Sequence, residues 1–384
     1  MRATVNIVRI IVGVLFIVSG LVKANDPLGL AYKMEEFFEI WNADLAASSF
    51  FLKNAFISLF AFLHQYSLAL SILMITLEIV AGVALLVGWQ RKLVLNGLFL
   101  LITFFTFLTA YAYLSGKFKN CGCFGDCLPI PPLASFLKDV ILFLLILFLL
   151  AGWRYIEPVF TKRGQLATIL TSLVLVAGMQ WYALNYLPPV DCLPFKEGNN
   201  ISEQMKIPAN AVPDSFAMKF IYEKEGKRYE FGMNELPADL ASYKFVDRTQ
   251  SLIRKGNAEP PIKGFSLSGI SGADSTEVVL NEPKALLVFV EHFKKIPGNW
   301  VEELTELQTK TKQQNTPVYV ITPDANRGRA LLANNGLGHV PVFSCDNTAV
   351  RTAARTNPTF MLINKGTIKE KASYREIDDI SEQL

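Results

Sequence analysis

Long apolar runs dominate the first half of the chain and are absent from the second. Charges are scarce up to Tyr186; beyond it they are ordinary, and apolar and polar residues alternate over short distances. A bilayer-crossing helix needs about 20 mostly apolar residues, because only an internally hydrogen-bonded segment survives in hydrocarbon. Five stretches meet that demand: Val5 to Val22, Leu68 to Trp89, Leu93 to Leu114, Phe136 to Trp153 and Leu166 to Leu187. Trp89, Trp153, Trp181 and Tyr186 stand at or near their ends, where aromatic rings favour the interface. A shorter apolar stretch, Ser48 to Phe62, carries Lys53 and predicts a helix on or against the outer surface.

Basic residues in short loops set orientation. Arg2 precedes the first span, Arg91 and Lys92 separate the second and third, and Arg154, Lys162 and Arg163 separate the fourth and fifth. These segments share one side, expected to be cytoplasmic. The other side carries Lys23, Lys33, Lys53, Lys117 and Lys119 over a longer length, offset by Glu35, Glu36, Glu39 and Asp44. Five spans then place everything beyond Leu187 outside the cytoplasmic membrane, in the periplasm. A cleaved signal peptide over residues 1–24 is the rival reading, disfavoured by the long apolar run and the poor cleavage site Val22-Lys23-Ala24.

In the second half, Phe220-Ile221-Tyr222 and Arg228 to Phe231 flank Gly226 as a hairpin. Pro260-Pro261 marks a boundary. Beyond it, Phe265 to Leu267 and Val278 to Leu280 are short strand candidates, and Ala285 to Val290 reads as a buried central strand. Asn299 to Gln314 has helical spacing, Pro317 to Thr322 is a second buried strand, and Ala325 to Asn335 is a helix ended by Gly336. Pro358 to Asn364 and Thr367 to Glu370 form a terminal hairpin around Lys365-Gly366. Alternating strands and helices predict an α/β domain.

The charged fraction of 18% is low against the roughly 25% usual for soluble proteins, as expected when half the chain is solvated by lipid. A net charge of +3 gives no case for nucleic acid, and no phosphate loop, dinucleotide fingerprint or zinc-finger spacing occurs. The candidate chemistry lies in the five cysteines. Three fall in Cys121-Gly122-Cys123-Phe124-Gly125-Asp126-Cys127, between the third and fourth spans; Cys192 follows the fifth, and Cys345 stands alone. The orientation puts the first four on the oxidising side, where disulfides persist. A thiol there meets both aqueous partners and lipid-soluble oxidants. Exchange needs an attacking thiolate and a second thiol to resolve the mixed disulfide. Cys121, Cys123, Cys127 and Cys192 are therefore the candidate catalytic residues, with Cys127 or Cys192 as the resolving thiol; three pairings stay open. A static disulfide pinning the loop and a four-thiolate zinc site are the competing readings, although the spacing is no standard zinc knuckle and the expectation is of no metal.

Cys345 reads as a small buried hydrophobe, and His292 and His339 as ordinary packing or surface residues. Within the spans, Glu78 and Arg9 are costly and so of interest. They either pair inside the bundle or line a small-molecule site. Lys138-Asp139 opens the fourth span as an interfacial pair.

Two resemblances add to this. Gly20-Leu21-Val22-Lys23 with Asp26-Pro27, and Glu78 with Gly82 and Gly88, resemble the DoxX proteins. Cys121-Gly122-Cys123-Phe124-Gly125-Asp126 with Lys138-Asp139 is similar to the MauE proteins of methylamine utilisation. The whole arrangement resembles the DoxX-family membrane proteins of Bacteroidetes. The resemblance implies a four-helix membrane domain over residues 1–155, akin to quinone-linked disulfide generators, with a membrane quinone near Glu78 and Arg9. It also implies extracytoplasmic redox or maturation work: MauE is linked to forming a disulfide-rich enzyme subunit, and DoxX relatives to quinone-dependent sulfur oxidation. Residues 156–190 would hold a cytoplasmic loop and the fifth span, and 191–260 an extracytoplasmic linker with the hairpin. Residues 261–384 resemble the thioredoxin fold, best at Asn357-Pro358-Thr359-Phe360-Met361-Leu362-Ile363, which implies a cis Pro358 beside the active site. The family's CxxC is replaced by Glu291-His292-Phe293-Lys294-Lys295, so this domain has no nucleophile for exchange.

Two functions follow as expectations. In one, the chain is a thiol–disulfide oxidoreductase passing electrons between extracytoplasmic protein thiols and a membrane quinone. In the other it is a non-catalytic membrane scaffold whose thioredoxin-like domain binds a partner protein.

Overall fold

The computed structural model describes residues 1–118, 122, 125, 127–213, 215–233, 235–237, 239–254, 256, 258–294 and 300–384, the side chains of 252–254 excepted. Cys121 and Cys123 lie outside the described residues.

The membrane region contains α1 (Arg2–Asn25), α2 (Pro27–Ala47), α3 (Lys53–Gln65), α4 (Ser67–Val87), α5 (Arg91–Ser115), α6 (Pro132–Ala151) and α7 (Lys162–Tyr186). Among the described residues, α1, α4, α5, α6 and α7 are the five helices long and apolar enough to cross a membrane. They match the five runs read from sequence. Helix α1 packs along α4, α5 along α6, and α7 against α4. Their shared interior holds Val12, Phe16, Leu85, Leu98, Ile102, Ile146 and Leu149, while Leu100, Ile141, Leu144, Val174 and Leu175 face outward, as lipid contact requires. Helices α1 and α4 touch through small residues: a Cβ on Gly82 would lie 2.9 Å from the Gly13 carbonyl oxygen. Glycines at a crossing let two backbones approach closely without a hydrophobic drive between them.

Helix α2 has no counterpart in the sequence reading. It starts because Asp26 Oδ1 accepts the Gly29 N–H at 3.0 Å and Pro27 takes the first helical position, where its missing N–H costs nothing. The short apolar stretch forms α3, which packs on α2 through Phe60 against Trp41 and Phe38, with ring centroids 5.1 and 6.0 Å apart.

After a single helical turn, α8 (Ile201–Gln204), a three-stranded antiparallel sheet contains β1 (Ser215–Lys224), β2 (Lys227–Gly232) and β3 (Lys244–Arg254), in the order β2-β1-β3. The β1–β2 hairpin turns at Glu225-Gly226, as read; β3 is an addition to that reading.

The remaining elements are α9 (Thr276–Leu280), β4 (Ala285–Phe289), α10 (Trp300–Gln313), β5 (Val318–Thr322), α11 (Ala325–Asn334), β6 (Val342–Ser344), α12 (Asn347–Ala353), β7 (Thr359–Asn364), β8 (Thr367–Ser373) and α13 (Ile377–Gln383). Their sheet has the order β6-β5-β4-β7-β8. Strands β4, β5 and β6 are parallel, and β7 and β8 are antiparallel additions. Strand β4 is buried throughout, because one core lies on each of its faces. This accounts for its unbroken apolar run.

Two strand expectations are corrected. Val278 to Leu280 is part of helix α9, a turn too short for a period to show, with Val279 and Leu280 inward and Val278 exposed. Phe265 to Leu267 is not a strand; only Ser268 makes isolated bridges, to Asp274 and Ser344. The segment read as a linker also contributes to the core: Phe195 and Ile201 are fully buried with Phe265 and Phe289. The Asn357–Pro358 peptide is cis. The chain is thus a helical membrane bundle with a fifth span, followed by a sheet-containing α/β region.

Candidate functional site

Cys127, at the end of the cysteine loop, lies beside the last residue of α1. Cys127 and Cys192 form a disulfide with their Cα atoms 4.9 Å apart, which selects one bond among the pairings the sequence left open. Asn25, the last residue of α1, fixes both partners. Its Nδ2 lies 3.8 Å from Cys127 Sγ and donates to the Val190 carbonyl at 2.9 Å, while its Oδ1 accepts the Val190 N–H at 3.0 Å. In this state neither Cys127 nor Cys192 is free to resolve a mixed disulfide. Gly122 sits against the stem of Lys33: a Cβ there would lie 2.9 Å from Lys33 Cγ, and its φ of +68° excludes an ordinary side chain. A zinc site of four thiolates would lose two ligands to the disulfide. Among the described residues no three His, Cys, Asp or Glu side chains group to hold a metal ion.

Cys345 follows β6 and is buried. Burial pushes its thiol up to about 11, so at pH 8 it is both inaccessible and protonated. Iodoacetamide is expected to label Cys345 only after denaturation; labelling in the folded protein, read by peptide mass spectrometry, would refute this.

The polar residues of the bundle fall into separate places. Lys23 and Glu78 form an ion pair with side-chain exposures of 4% and 1%, and Ser19 donates to Glu78 at 3.3 Å. Lys23 Nζ also stands 4.6 Å from the Phe105 ring centroid. Nearby, Lys138 pairs with Asp139 at 2.9 Å, and Thr109 donates to Asp139 at 3.1 Å. A crevice of about 20 Å³ joins the two pairs, room for one water and not for an aromatic ring.

Arg9 is elsewhere. Its guanidinium donates to the carbonyls of Leu85 (2.8 Å), Leu86 and Glu157 (2.9 Å), capping the C-terminal end of α4. Each residue thus makes a polar contact within the bundle, one of the two roles expected of it, and the two lie apart. Neither offers a vacant group to a quinone ring, and the crevice does not fit one as it stands.

The tail region docks on the bundle beside the loop. Arg355 Nε pairs with Asp26 at 2.8 Å, both buried. Arg351 bridges Glu35 of α2 (2.7 Å) and Glu291 at the end of β4 (2.9 Å). Tyr32 donates to Glu291 at 2.9 Å, with the Arg351 guanidinium 4.5 Å from its ring centroid. Burial, then the neighbouring Glu291 carboxylate, pushes the Tyr32 phenol well above its ordinary value. Asn357 ties this edge together, accepting from the Glu291 N–H and donating to the His292 carbonyl. Lys371 of β8 reaches Asp191, next to the disulfide, at 2.7 Å; burial holds its ammonium below the usual lysine range. His339 contacts Gln308, an ordinary packing role.

The sequence reading missed Asn25, Tyr32, Arg351 and Arg355. Only Asp26-Pro27, a helix-start pattern, could have pointed to this junction, since ion pairs across hundreds of residues leave no local signature.

Residues 216–255, which span the three-stranded sheet, match a family model described as a domain of unknown function (DUF8463). No curated protein and no solved structure matches the chain. Residues 1–156 match the family model of the methylamine utilisation protein MauE. That match covers α1 to α6, including the cysteine loop and the buried pairs, so the membrane domain of this chain is similar to the MauE family.

Proposed function

We propose that the chain carries out thiol–disulfide exchange at the membrane surface, oxidising protein thiols during extracytoplasmic disulfide formation or maturation. The observation that carries this is the Cys127–Cys192 disulfide on the end of α1. It anchors the loop and, with Cys345 buried, leaves Cys121 and Cys123 as the exchanging pair. A partner thiolate attacks the Cys121–Cys123 bond, giving a mixed disulfide and one free loop thiolate. The partner's second thiolate then attacks the mixed disulfide. The partner leaves as a disulfide and the loop as a dithiol holding the two electrons. A bond between cysteines two apart closes a small strained ring, which favours its reduction. Reoxidation needs a two-electron acceptor. A membrane quinone is the class the family resemblance implies, but Glu78 and Arg9 do not form a seat for it.

One observation favours the scaffold reading for the tail. The strand order β6-β5-β4-β7-β8 and the cis Pro358 support a thioredoxin-like domain. Where such a domain would carry its thiols, Glu291 is tied to Tyr32 and Arg351. That edge holds the domain on the bundle, and its other surfaces are left to recruit a partner.

The test is the thiol state of each cysteine in intact membranes, by differential alkylation and mass spectrometry, with and without a block on quinone reoxidation. Cys121 and Cys123 are expected to shift to the reduced form under the block while Cys127–Cys192 stays bonded. Serine at Cys121 or Cys123 should leave partner thiols reduced without loss of protein. A loop pair that never changes state would sink the exchange reading and leave the scaffold.

A further inference from the structure

Beside the last turn of α7, the tail region leaves a cleft of about 480 Å³. One wall is Tyr186, the final residue of the fifth span. Tyr186 stacks on Tyr182 with ring centroids 5.1 Å apart and meets Trp181 edge-on at 5.7 Å. Trp181 and Tyr182 are exposed. A cluster of indole and phenol rings at the end of an apolar helix marks the head-group level of a bilayer. Whatever fills this cleft therefore sits where lipid head groups are.

The lining carries both signs of charge in different places. Arg375 hangs over the rings of Tyr374 and Tyr186, at 5.3 and 5.9 Å from their centroids. Its Nε contacts Asn185 Oδ1 and the Tyr374 hydroxyl at 3.2 and 3.0 Å. Among the described residues no salt bridge joins Arg375 to a carboxylate. Its terminal nitrogens are available to a phosphate, which a guanidinium binds in a two-pronged fashion. The same lining carries Glu303, Glu306 and Asp378. Glu303 Oε2 is buried with no hydrogen-bond partner. Burial, then the charges of Asp378 and Glu306, raises the Glu303 carboxyl above its usual range. Lys310, also in the lining, donates to Ser381.

We propose that this cleft binds the phosphoethanolamine head group of a lipid in the leaflet on the tail-domain side, with the phosphate on Arg375 and the ammonium among Glu303, Glu306 and Asp378. An anionic head group would satisfy Arg375 and leave the carboxylates facing one another. A free amine would leave Arg375 unused. The acyl chains would run down the exposed face of α7, past Leu175 and Val174.

The test uses the full chain in phosphatidylcholine nanodiscs doped with either phosphatidylethanolamine or phosphatidylglycerol, then extracted and weighed intact by native mass spectrometry. The wild type is expected to retain phosphatidylethanolamine preferentially. Glu303→Gln should weaken that retention about tenfold, the scale of one hydrogen bond to a charged group, while leaving phosphatidylglycerol unaffected. Glu306→Gln, at an exposed rim position, should act in the same direction without risk to the fold, and Arg375→Ala should weaken both lipids. Equal retention of the two lipids, or glutamine variants that behave as wild type, would overturn the proposal. So would soluble phosphoethanolamine competing as strongly as the lipid, since the source would then be aqueous.

Discussion

Arg355→Ala is expected to loosen the tail domain from the bundle at a cost of about 3–5 kcal/mol, the penalty for removing one partner of a buried pair. The arginine and Asp26 have side-chain exposures of only 4% and 9%. Without Arg355 the Asp26 carboxylate keeps its cap on Gly29 but loses its buried counter-charge. Asp26→Ala should cost about 1 kcal/mol more, because it also removes that helix cap. Arg351→Ala should cost less than either: its side chain is 27% exposed, and water screens what it leaves behind. The order Asp26, Arg355, Arg351 can be read from thermal midpoints in detergent. Hydrogen exchange should locate the loosening at the start of α2 and along α12, since the Cys127–Cys192 bond still tethers the two parts. An Arg355→Ala protein that melts with the wild type and shows no faster exchange there would mean that the domain is held by something else.

That junction also shows where sequence reasoning stops. The five spans were legible because hydrocarbon imposes one solution on a run of that length, and α1, α4, α5, α6 and α7 lie within a few residues of the apolar runs. Strands β4, β5 and β7 were legible because burial on both faces leaves an unbroken apolar run. Elements whose burial is partial were not. Helix α2 has only Pro27, Ala31, Phe37 and Phe38 buried among its 21 residues, and β6 is three residues long. The cysteine loop stood out by composition, but the choice of Cys127 with Cys192 depends on α7 returning beside Asn25. Helix α7 alone carries no sign of that. Glu78 stood out as a charge in a span; that its partner is Lys23 and not Arg9 depends on the register between α1 and α4. Lys23 lies near the loop end of α1 and Arg9 near the other, so the long apolar interval between them decides which can reach Glu78.

Lys23 therefore gives the second large effect. Lys23→Met is expected to destabilise the bundle by about 3–5 kcal/mol, because Glu78 is then left buried with no counter-charge. The pair itself need not be stabilising. Replacing a buried ion pair by apolar residues of similar size is often neutral or better, so Lys23→Met with Glu78→Met should recover most of the loss. Thermal midpoints of the two single variants and the double variant give this coupling directly. The double variant also separates structure from chemistry. Lys23 and Glu78 are engaged with each other, and their crevice admits about one water, so a stable double variant is expected to retain thiol oxidation by the loop. If it folds as well as the wild type yet leaves partner thiols reduced, the pair takes part in moving electrons or protons, and the crevice must open during the reaction to a form other than the one described.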